Sequence, residues 1–306
     1  MIAVCGIPSD PPTALVIAAL ERMGFPHVVL YQRRFEETSV DLEISGGEIR
    51  GLLSGDHGHP SVDCSEVTGI YTRLMDWRLL PEVRDGSDEA AERCRAWHET
   101  LNDWIEIAPG CVMNRAAASA SNRSKPYQSQ LIRRAGFSVP ETLVTNDPDL
   151  VRDFRARHGR LIYKSISAVR SVVRELDDEA ARRLRLIRGC PVQFQRYVPG
   201  TNVRVHVVAQ NVFATRVDTD QVDYRYVQEE GGRTDFFAWE LPGDLAERCR
   251  DLVSGLGLAL AGVDLILTDD GEAYCLEVNP SPGFSCYETR TAQPISHAVA
   301  LALQRG

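Results

Sequence analysis

Lysine is almost missing from this chain of 306 residues: of 34 lysines and arginines, only Lys125 and Lys164 are lysine. Paired cysteines are missing too. The eight cysteines stand singly, with no C-x-x-C and no Cys/His cluster at zinc spacing, so a disulfide framework and a structural zinc site are not expected and the thiols are expected to be reduced. No apolar run approaches the length of a membrane span, and the opening MIAVCGIPSD has no charged n-region, so no membrane association and a cytoplasmic location are expected. There is no G-x-x-x-x-G-K-[ST] loop and no G-x-G-x-x-G after a strand; GLGLALAG around Gly255 misses the dinucleotide spacing and reads as a helix end. A net charge of −9 argues against nucleic acid as a partner. His57 and His59 in GDHGHP match no zinc spacing and read as a turn.

What remains is ordinary globular material, 43% hydrophobic and 25% charged, with its arginines in scattered pairs that read as solvated faces. Residues 1–113 alternate strand and helix: IAVCGI, then PPTALVIAALERMGF with Asp10 as its cap and Gly24 at its end, then HVVLY, VTGIYTRL, DEAAERCRAWHETLNDWIEIA and CVMN. DLEISGGEIRGLL alternates around Gly46-Gly47 and predicts a hairpin. Such alternation favours a mainly parallel, doubly wound sheet. Residues 114–198 read as a second α+β unit, with strands at RLIYKS, SVVREL and CPVQFQRYV and a helix over DEAARRLRLIRG. Residues 199–306 read as a third, with a hairpin over TNVRVHVVAQNVFATRVD and a closing helix through ISHAVALALQ. The fold class expected is α/β (α+β).

The sharpest local signal is AGVDLILTDDGEAYCLEVNPSPGF. Asp270-Gly271 between two alternating runs predicts a two-residue type I′ turn. Asp269 then faces Glu272, Asp264 faces Glu277, and Asn279 shares their face opposite Gly262, while Val263, Leu265, Leu276 and Val278 point into a core. Like charges placed directly opposite are destabilising, so a solvated acidic face accounts poorly for the pair. Two carboxylates and an amide oxygen without His or Cys suit Mg²⁺, which completes its shell with water and substrate phosphate.

A carboxylate-held divalent cation implies phosphate, and the two lysines fit that reading. An ammonium is a compact point charge that meets one phosphate oxygen in a tight space, where a guanidinium fork demands width. Lys164 follows the apolar run Leu161-Ile162-Tyr163, near a strand end. The bland alternative is that both lysines are leftovers of a biased composition.

With these residues in view, the chain resembles the ATP-grasp ligases of the RimK-like group and is similar to the maturases that crosslink ribosomally made peptides. The resemblance covers about residues 114–290 and is most specific in GVDLI…CLEVNPSPGF and NVRVHVV. It implies an ATP-grasp fold, an open parallel N-terminal layer plus two α+β subdomains enclosing the nucleotide. It makes Lys125 in NRSKPYQSQL and Lys164 phosphate ligands, and QFQRYV the hinge past adenine, with Gln195, Arg196, Tyr197 and Val198 around the base. Arg204 in NVRV would steady the transferring phosphoryl group, and Asp264, Glu277 and Asn279 would hold magnesium, two ions being expected and Mn²⁺ able to substitute. The chain departs from the family twice: SISAVRS has no glycine where a Gly-rich loop is usual, leaving Ser165, Ser167 and Ser171 to clasp phosphate, and Asn202 stands where Asp is frequent.

The chemistry so implied is ATP-dependent joining of a carboxylate to an amine or hydroxyl through an acyl phosphate, on a peptide substrate. Two alternatives are carried: ligation of free amino acids or other small acids, and a non-catalytic nucleotide-binding module. Arg73 in YTRLMD and Arg216 in FATRVD are candidate substrate contacts, surface arginines being the plainer reading, and His206 reads as a satisfied sheet histidine. Nothing in the sequence decides between a monomer and a homo-oligomer.

Overall fold

The computed structural model describes residues 1–46, 48–54, 61–166, 172–219 and 233–306; His57, His59, Ser167 and Ser171 lie outside them. The N-terminal layer is built on β1 (Ile2–Gly6), whose five residues are all buried, as expected of a central parallel strand covered on both faces. It pairs in parallel with β2 (His27–Tyr31) on one side. Two further strands, β3 (Ser39–Ser45) and β4 (Glu48–Ser54), form the anticipated hairpin, which adds β5 (Val62–Asp63). On its other side β1 pairs with β6 (Gly69–Arg73), which pairs with β7 (Cys111–Met113), all parallel. Asp10 caps helix Pro11–Met23 by accepting from the Thr13 N–H at 3.4 Å and hydroxyl at 3.0 Å, and Gly24 ends the helix at φ 66°.

The central sheet comprises β8 (Thr142–Thr145), β9 (Leu161–Ser165), β10 (Arg174–Glu175) and β11 (Val192–Arg196), in the order β10-β9-β11-β8 with every neighbour antiparallel. The helix expected over DEAARRLRLIRG is α only at Asp178–Arg182 and tightens to 3₁₀ over Leu184–Gly189. Of that arginine-rich run only Leu184 is buried, so little packing sustains an α-helix there.

The C-terminal sheet comprises β12 (Thr201–Val208), β13 (Asn211–Thr219), β14 (Thr234–Trp239), β15 (Leu260–Leu267) and β16 (Ala273–Asn279), in the order β14-β13-β12-β15-β16. Alternation gives it two different faces. Val203, Val205, Val207, Ala261, Val263 and Leu265 pack with Leu245, Cys249 and Leu252 of helix Gly243–Gly255. The opposite face carries Arg204, His206, Gly262 and Asp264. Strand β14 and helix Ser285–Thr291 have no counterpart in the sequence reading.

The cores do not follow chain order. Ile132 and Phe137, which precede the central sheet, lie in the core of the C-terminal sheet. Val299 and Leu303 of the last helix, Ile295–Arg305, pack with Ile2, Val4 and Val16 of the N-terminal layer. Asn114 fastens the junction with a fully used amide: its Nδ2 donates to the carbonyls of Leu260 and Pro280, each at 2.6 Å, and its Oδ1 accepts from the N–H groups of Ala259 at 2.9 Å and Leu260 at 3.1 Å. All eight cysteines are free thiols. No helix among the described residues is long and apolar enough to cross a membrane.

Candidate active site

The acidic hairpin keeps its expected partners by a route the sequence did not show. Its turn is not the two-residue loop expected from Asp270-Gly271. Thr268 rather than Asp269 faces Glu272, the Thr268 N–H donating to the Glu272 carbonyl at 3.0 Å, and Gly271 takes a left-handed φ of 84°. The pairing Leu265↔Cys275, Ile266↔Tyr274, Leu267↔Ala273 is therefore one residue out of the expected register. A bulge between Asp264 and Leu265 absorbs one extra residue of β16, Leu276, and restores Asp264↔Glu277, Val263↔Val278 and Gly262↔Asn279. Val263, Leu265 and Val278 enter the core as expected, but Leu276 does not: the bulge turns it into a cleft that Asp264 and Glu277 also line.

Each carboxylate meets a buried cation. Arg204, directly opposite Asp264 on β12 and 6% exposed, donates from Nη1 to Asp264 Oδ1 at 2.8 Å. Lys125, the first residue of helix Lys125–Arg134 and 9% exposed, places Nζ 3.4 Å from Glu277 Oε2. Gln128, three residues further on that helix, docks it against the outer edge of β16: its Nε2 donates to the Val278 carbonyl at 2.8 Å and its Oε1 accepts from the Val278 N–H at 3.0 Å. The same-face spacing of Lys125 and Gln128 was a signal available in the sequence. Like-charge repulsion in the hairpin is thereby offset by cations from two distant segments. Asn279 Oδ1 accepts from the Ser281 N–H at 2.9 Å.

The opposite wall of the cleft is the central sheet. Ile162, Lys164, Val173, Gln195 and Val198 line it, with Asn202 at its floor. Lys164 is 8% exposed and pairs in register with Gln193, while Ser165 ends the strand as an exposed residue. On β11, Gln195 Nε2 donates to Thr142 Oγ1 at 2.9 Å. The Arg196 side chain is engaged at the sheet edge, with Nε on Glu141 Oε2 at 2.5 Å and Nη2 on the Tyr274 hydroxyl at 2.9 Å, and the Glu141 hydrogen bond raises its pKa further. The Tyr197 ring lies under the Arg160 guanidinium at 3.8 Å. The N–H groups of Arg196 and Tyr197 are taken by the carbonyls of Glu141 and Arg160, each at 2.9 Å. Val198, which follows them, is 4% exposed and lines the cleft.

Arg73 and Arg216 are not part of this convergence. Arg73 donates from Nε to Asp10 Oδ2 at 2.8 Å and from Nη1 to the Ser281 carbonyl and hydroxyl, each at 2.9 Å. It is a tie between the N-terminal layer and the loop after β16, because its strand ends beside that loop. Arg216 pairs with Val203, so it lies on the sheet face away from Arg204, with Nη2 donating to Asp218 at 3.1 Å over the Phe237 ring at 4.9 Å. His206 is 0% exposed and half satisfied: Nε2 accepts from Arg204 Nε at 3.4 Å, and Nδ1 has no partner among the described residues. Burial, with Arg204 adding to it, holds this imidazole well below its ordinary pKa and hence neutral.

Magnesium fits this donor set. The side chains of Asp264 and Glu277 keep 22% and 23% of their surface exposed, and among the described residues no three His, Cys, Asp or Glu side chains are grouped so as to hold a metal ion by themselves. A hard cation there would draw the rest of its shell from water and phosphate.

A carboxylate hairpin facing a small antiparallel sheet with a buried lysine, on a parallel N-terminal layer, is the architecture of an ATP-grasp ligase. The model of the ATP-grasp domain matches residues 120–284, and the chain belongs to that family. A probable alpha-L-glutamate ligase of Alkalilimnicola ehrlichii is 27% identical over 213 residues, 66% of this chain and 69% of its own length. A second, from Hahella chejuensis, is 27% identical over 243 residues, 76% of this chain and 77% of its own. Among solved structures, the macrocyclase MdnC of Microcystis aeruginosa MRC, bound with precursor peptide MdnA, superposes with a TM-score of 0.82 at 25% identity over 100% of both chains. The ATP-grasp ligase PsnB complexed with minimal precursor, Mg and ADP gives a TM-score of 0.79 at 29% identity, covering 99% of this chain and 96% of that one.

Proposed function

We propose that this protein joins a side-chain carboxylate of a peptide to an amine or hydroxyl, using Mg·ATP. One observation carries the reading: Asp264 and Glu277 stand opposite each other in the cleft that Lys164 also lines, with Arg204 on Asp264 at 2.8 Å and Lys125 on Glu277 at 3.4 Å. Lys125 and Lys164 hold the phosphates, Ser165 and Ser167 clasp them, and the hinge Gln195–Val198 takes the base. Asp264, Glu277 and Asn279 would hold two magnesium ions, for which manganese would substitute, and these would offset the charge of the phosphoryl oxygens.

The carboxylate oxygen attacks the γ-phosphorus and ADP leaves, giving an acyl phosphate. Arg204 supports the charge on the transferring oxygens, and the nucleophile then attacks the carbonyl carbon and releases phosphate. The lid, residues 114–198, keeps water from the acyl phosphate; residues 1–113 form the N-terminal α/β domain and residues 199–306 the metal-binding unit. ATP supply and eight free thiols favour a cytoplasmic setting.

A peptide is preferred over a free amino acid because relatives whose structures hold precursor peptides, MdnC and PsnB, match over 99–100% of this chain. The test is ATP-dependent phosphate release, with hydroxylamine as a trap for the acyl phosphate. It is run over peptides bearing Asp or Glu with Lys, Ser or Thr, and over free amino acids. Turnover with peptides and loss of one water per bond formed is the expected result. Turnover with free amino acids alone overturns the peptide reading, and ATP binding without phosphate release from any pair overturns the ligase reading.

A further inference from the structure

Arg204 sits in a slot whose other members have no role in the reading so far. Its Nη1 is held by Asp264 at 2.8 Å, its Nε points at His206 Nε2 at 3.4 Å, and its Cζ lies 5.9 Å from the centre of the Tyr287 ring. The floor of the slot is Gly262. A Cβ there would lie 1.9 Å from Arg204 Nη2 and 2.3 Å from Cζ, so the guanidinium rests directly on the glycine backbone. Gly262 is not among the residues at positive φ and lies inside a strand, where glycine is unfavourable, so the space is its evident use.

His206 is the second anomaly. It is 0% exposed on a strand whose neighbouring positions are valines, its ring meets Tyr287 edge-on at 4.8 Å, and its Nδ1 has no hydrogen-bond partner among the described residues. An unpartnered buried N–H costs stability that an apolar side chain would avoid. What the imidazole supplies is an acceptor: Nε2 can take the Arg204 Nε–H only if the proton sits on Nδ1, which is the nitrogen left without a partner. A guanidinium held at one nitrogen still swings about its side-chain torsions. Held at both Nε and Nη1 and lying on Gly262, it has one orientation.

We propose that His206, with Gly262 beneath and Tyr287 beside it, is a positioning residue that fixes the plane of the Arg204 guanidinium for the transferring phosphoryl group. This rests on the reading of Arg204 given above. The experiment uses the full chain and four variants: His206→Phe keeps the ring and removes the acceptor, His206→Gln puts an acceptor oxygen near the place of Nε2, Gly262→Ala pushes a methyl into the guanidinium, and Arg204→Met is the control. Steady-state phosphate release gives kcat and KM for ATP, and calorimetry gives Mg·ADP affinity.

His206→Phe is expected to lower kcat about tenfold to a hundredfold with KM for ATP and Mg·ADP affinity within about twofold, the signature of a group felt in the transition state. His206→Gln recovers most of that loss. Gly262→Ala matches His206→Phe, and the double variant is no worse than the worse single, because both disturb one guanidinium. Wild-type kcat in His206→Phe overturns the proposal, as does a parallel fall of kcat, Mg·ADP affinity and thermal stability that Gln does not rescue. If His206→Phe fails to fold, Gly262→Ala decides: normal kcat there overturns the proposal as well. Full activity in Arg204→Met removes the role of Arg204 itself, whereas an inactive Arg204→Met beside a normal His206→Phe removes only the role given to His206.

Discussion

Lys125 and Glu277 are 152 positions apart in the chain, and their charged atoms lie 3.4 Å apart. The contact exists because Gln128, on the same helix face, seals the backbone edge of β16 beside Glu277 and so sets where the helix begins. It gives the acidic hairpin a cation on one strand, and Arg204 gives one on the other. The carboxylate pair can therefore stand face to face before any metal arrives. Several measurable consequences follow from this balance and from the wall opposite.

Lys164→Arg should keep the fold and lose most activity. The lysine is 8% exposed in the cleft wall, where a wider planar group does not fit without displacing its neighbours. Phosphate release should fall about a hundredfold, corresponding to about 3 kcal/mol of lost transition-state stabilisation. Near-normal turnover in the variant would remove the account of why this chain retains lysine there.

Glu277→Gln should separate metal binding from folding. Neutralising Glu277 relieves repulsion from Asp264 but leaves the buried Lys125 ammonium without its carboxylate, so the unliganded protein should melt at the same temperature or slightly lower. Phosphate release should fall about a hundredfold or more, since a lost ligand weakens the metal's offset of phosphoryl charge. The stabilisation that Mg·ADP gives the parent should shrink to that of ADP alone, read by thermal unfolding with and without magnesium. An undiminished magnesium effect would contradict the assignment.

Asp10→Ala should act on stability and on the loop after β16 together. The aspartate caps the first helix and also receives Arg73, which reaches on to Ser281. Loss of the cap costs about 1 kcal/mol, a melting shift of about 2–4 °C for a domain near this size. Ser87→Ala, which removes the cap of helix Asp88–Ile107 without touching that loop, should match it in stability and differ from it in magnesium-dependent turnover. Equal turnover in both would reduce Arg73 to a surface tie.

Stability should fall as the pH drops below about 6.5, where unfolded imidazoles take up protons. His206 and His98 are both held neutral in the fold by burial, their pKa values lying below the ordinary 6.5. Between the folded and unfolded values the unfolded chain binds more protons, so stability rises with pH in that window and declines toward acid, by up to about 1.4 kcal/mol per pH unit for each group. Urea midpoints measured from pH 7 to pH 5 should show this decline, and His206→Gln should flatten it. An unchanged slope in that variant would assign the titration to other groups.

The sequence reading reached Asp264 opposite Glu277 through two departures that cancel. The turn takes one more residue than Asp270-Gly271 suggests, and the bulge at Leu276 gives one back. Neither is visible in the alternation, since a turn and a bulge are chosen by the packing of the whole sheet. Leu276 shows the consequence, because an apolar residue counted as core stands in the cleft. Rarity and resemblance single out Lys125, Lys164 and Arg204; of these Lys164 lines the cleft, and the other two contact the carboxylates that line it. Arg216 is a candidate substrate contact by sequence, and its pairing with Val203 turns it to the face away from Arg204. Gly262 lies opposite Asn279 as expected, but the space a Cβ would take is filled by Arg204, which the sequence did not show.

Local chemistry decided the elements. The buried run of β1, the Asp10 cap, the glycine-ended helices and the acidic hairpin follow from side-chain period and backbone preference over a few residues, which is information the sequence holds by itself. Tertiary structure alone decided which charges meet. The pairing of β12 with β15 brings Arg204 to Asp264, and the docking of helix Lys125–Arg134 on β16 brings Lys125 to Glu277. Such contacts join segments 60 and 152 residues apart, and their register is set by burial across the whole sheet, which no local window of sequence contains.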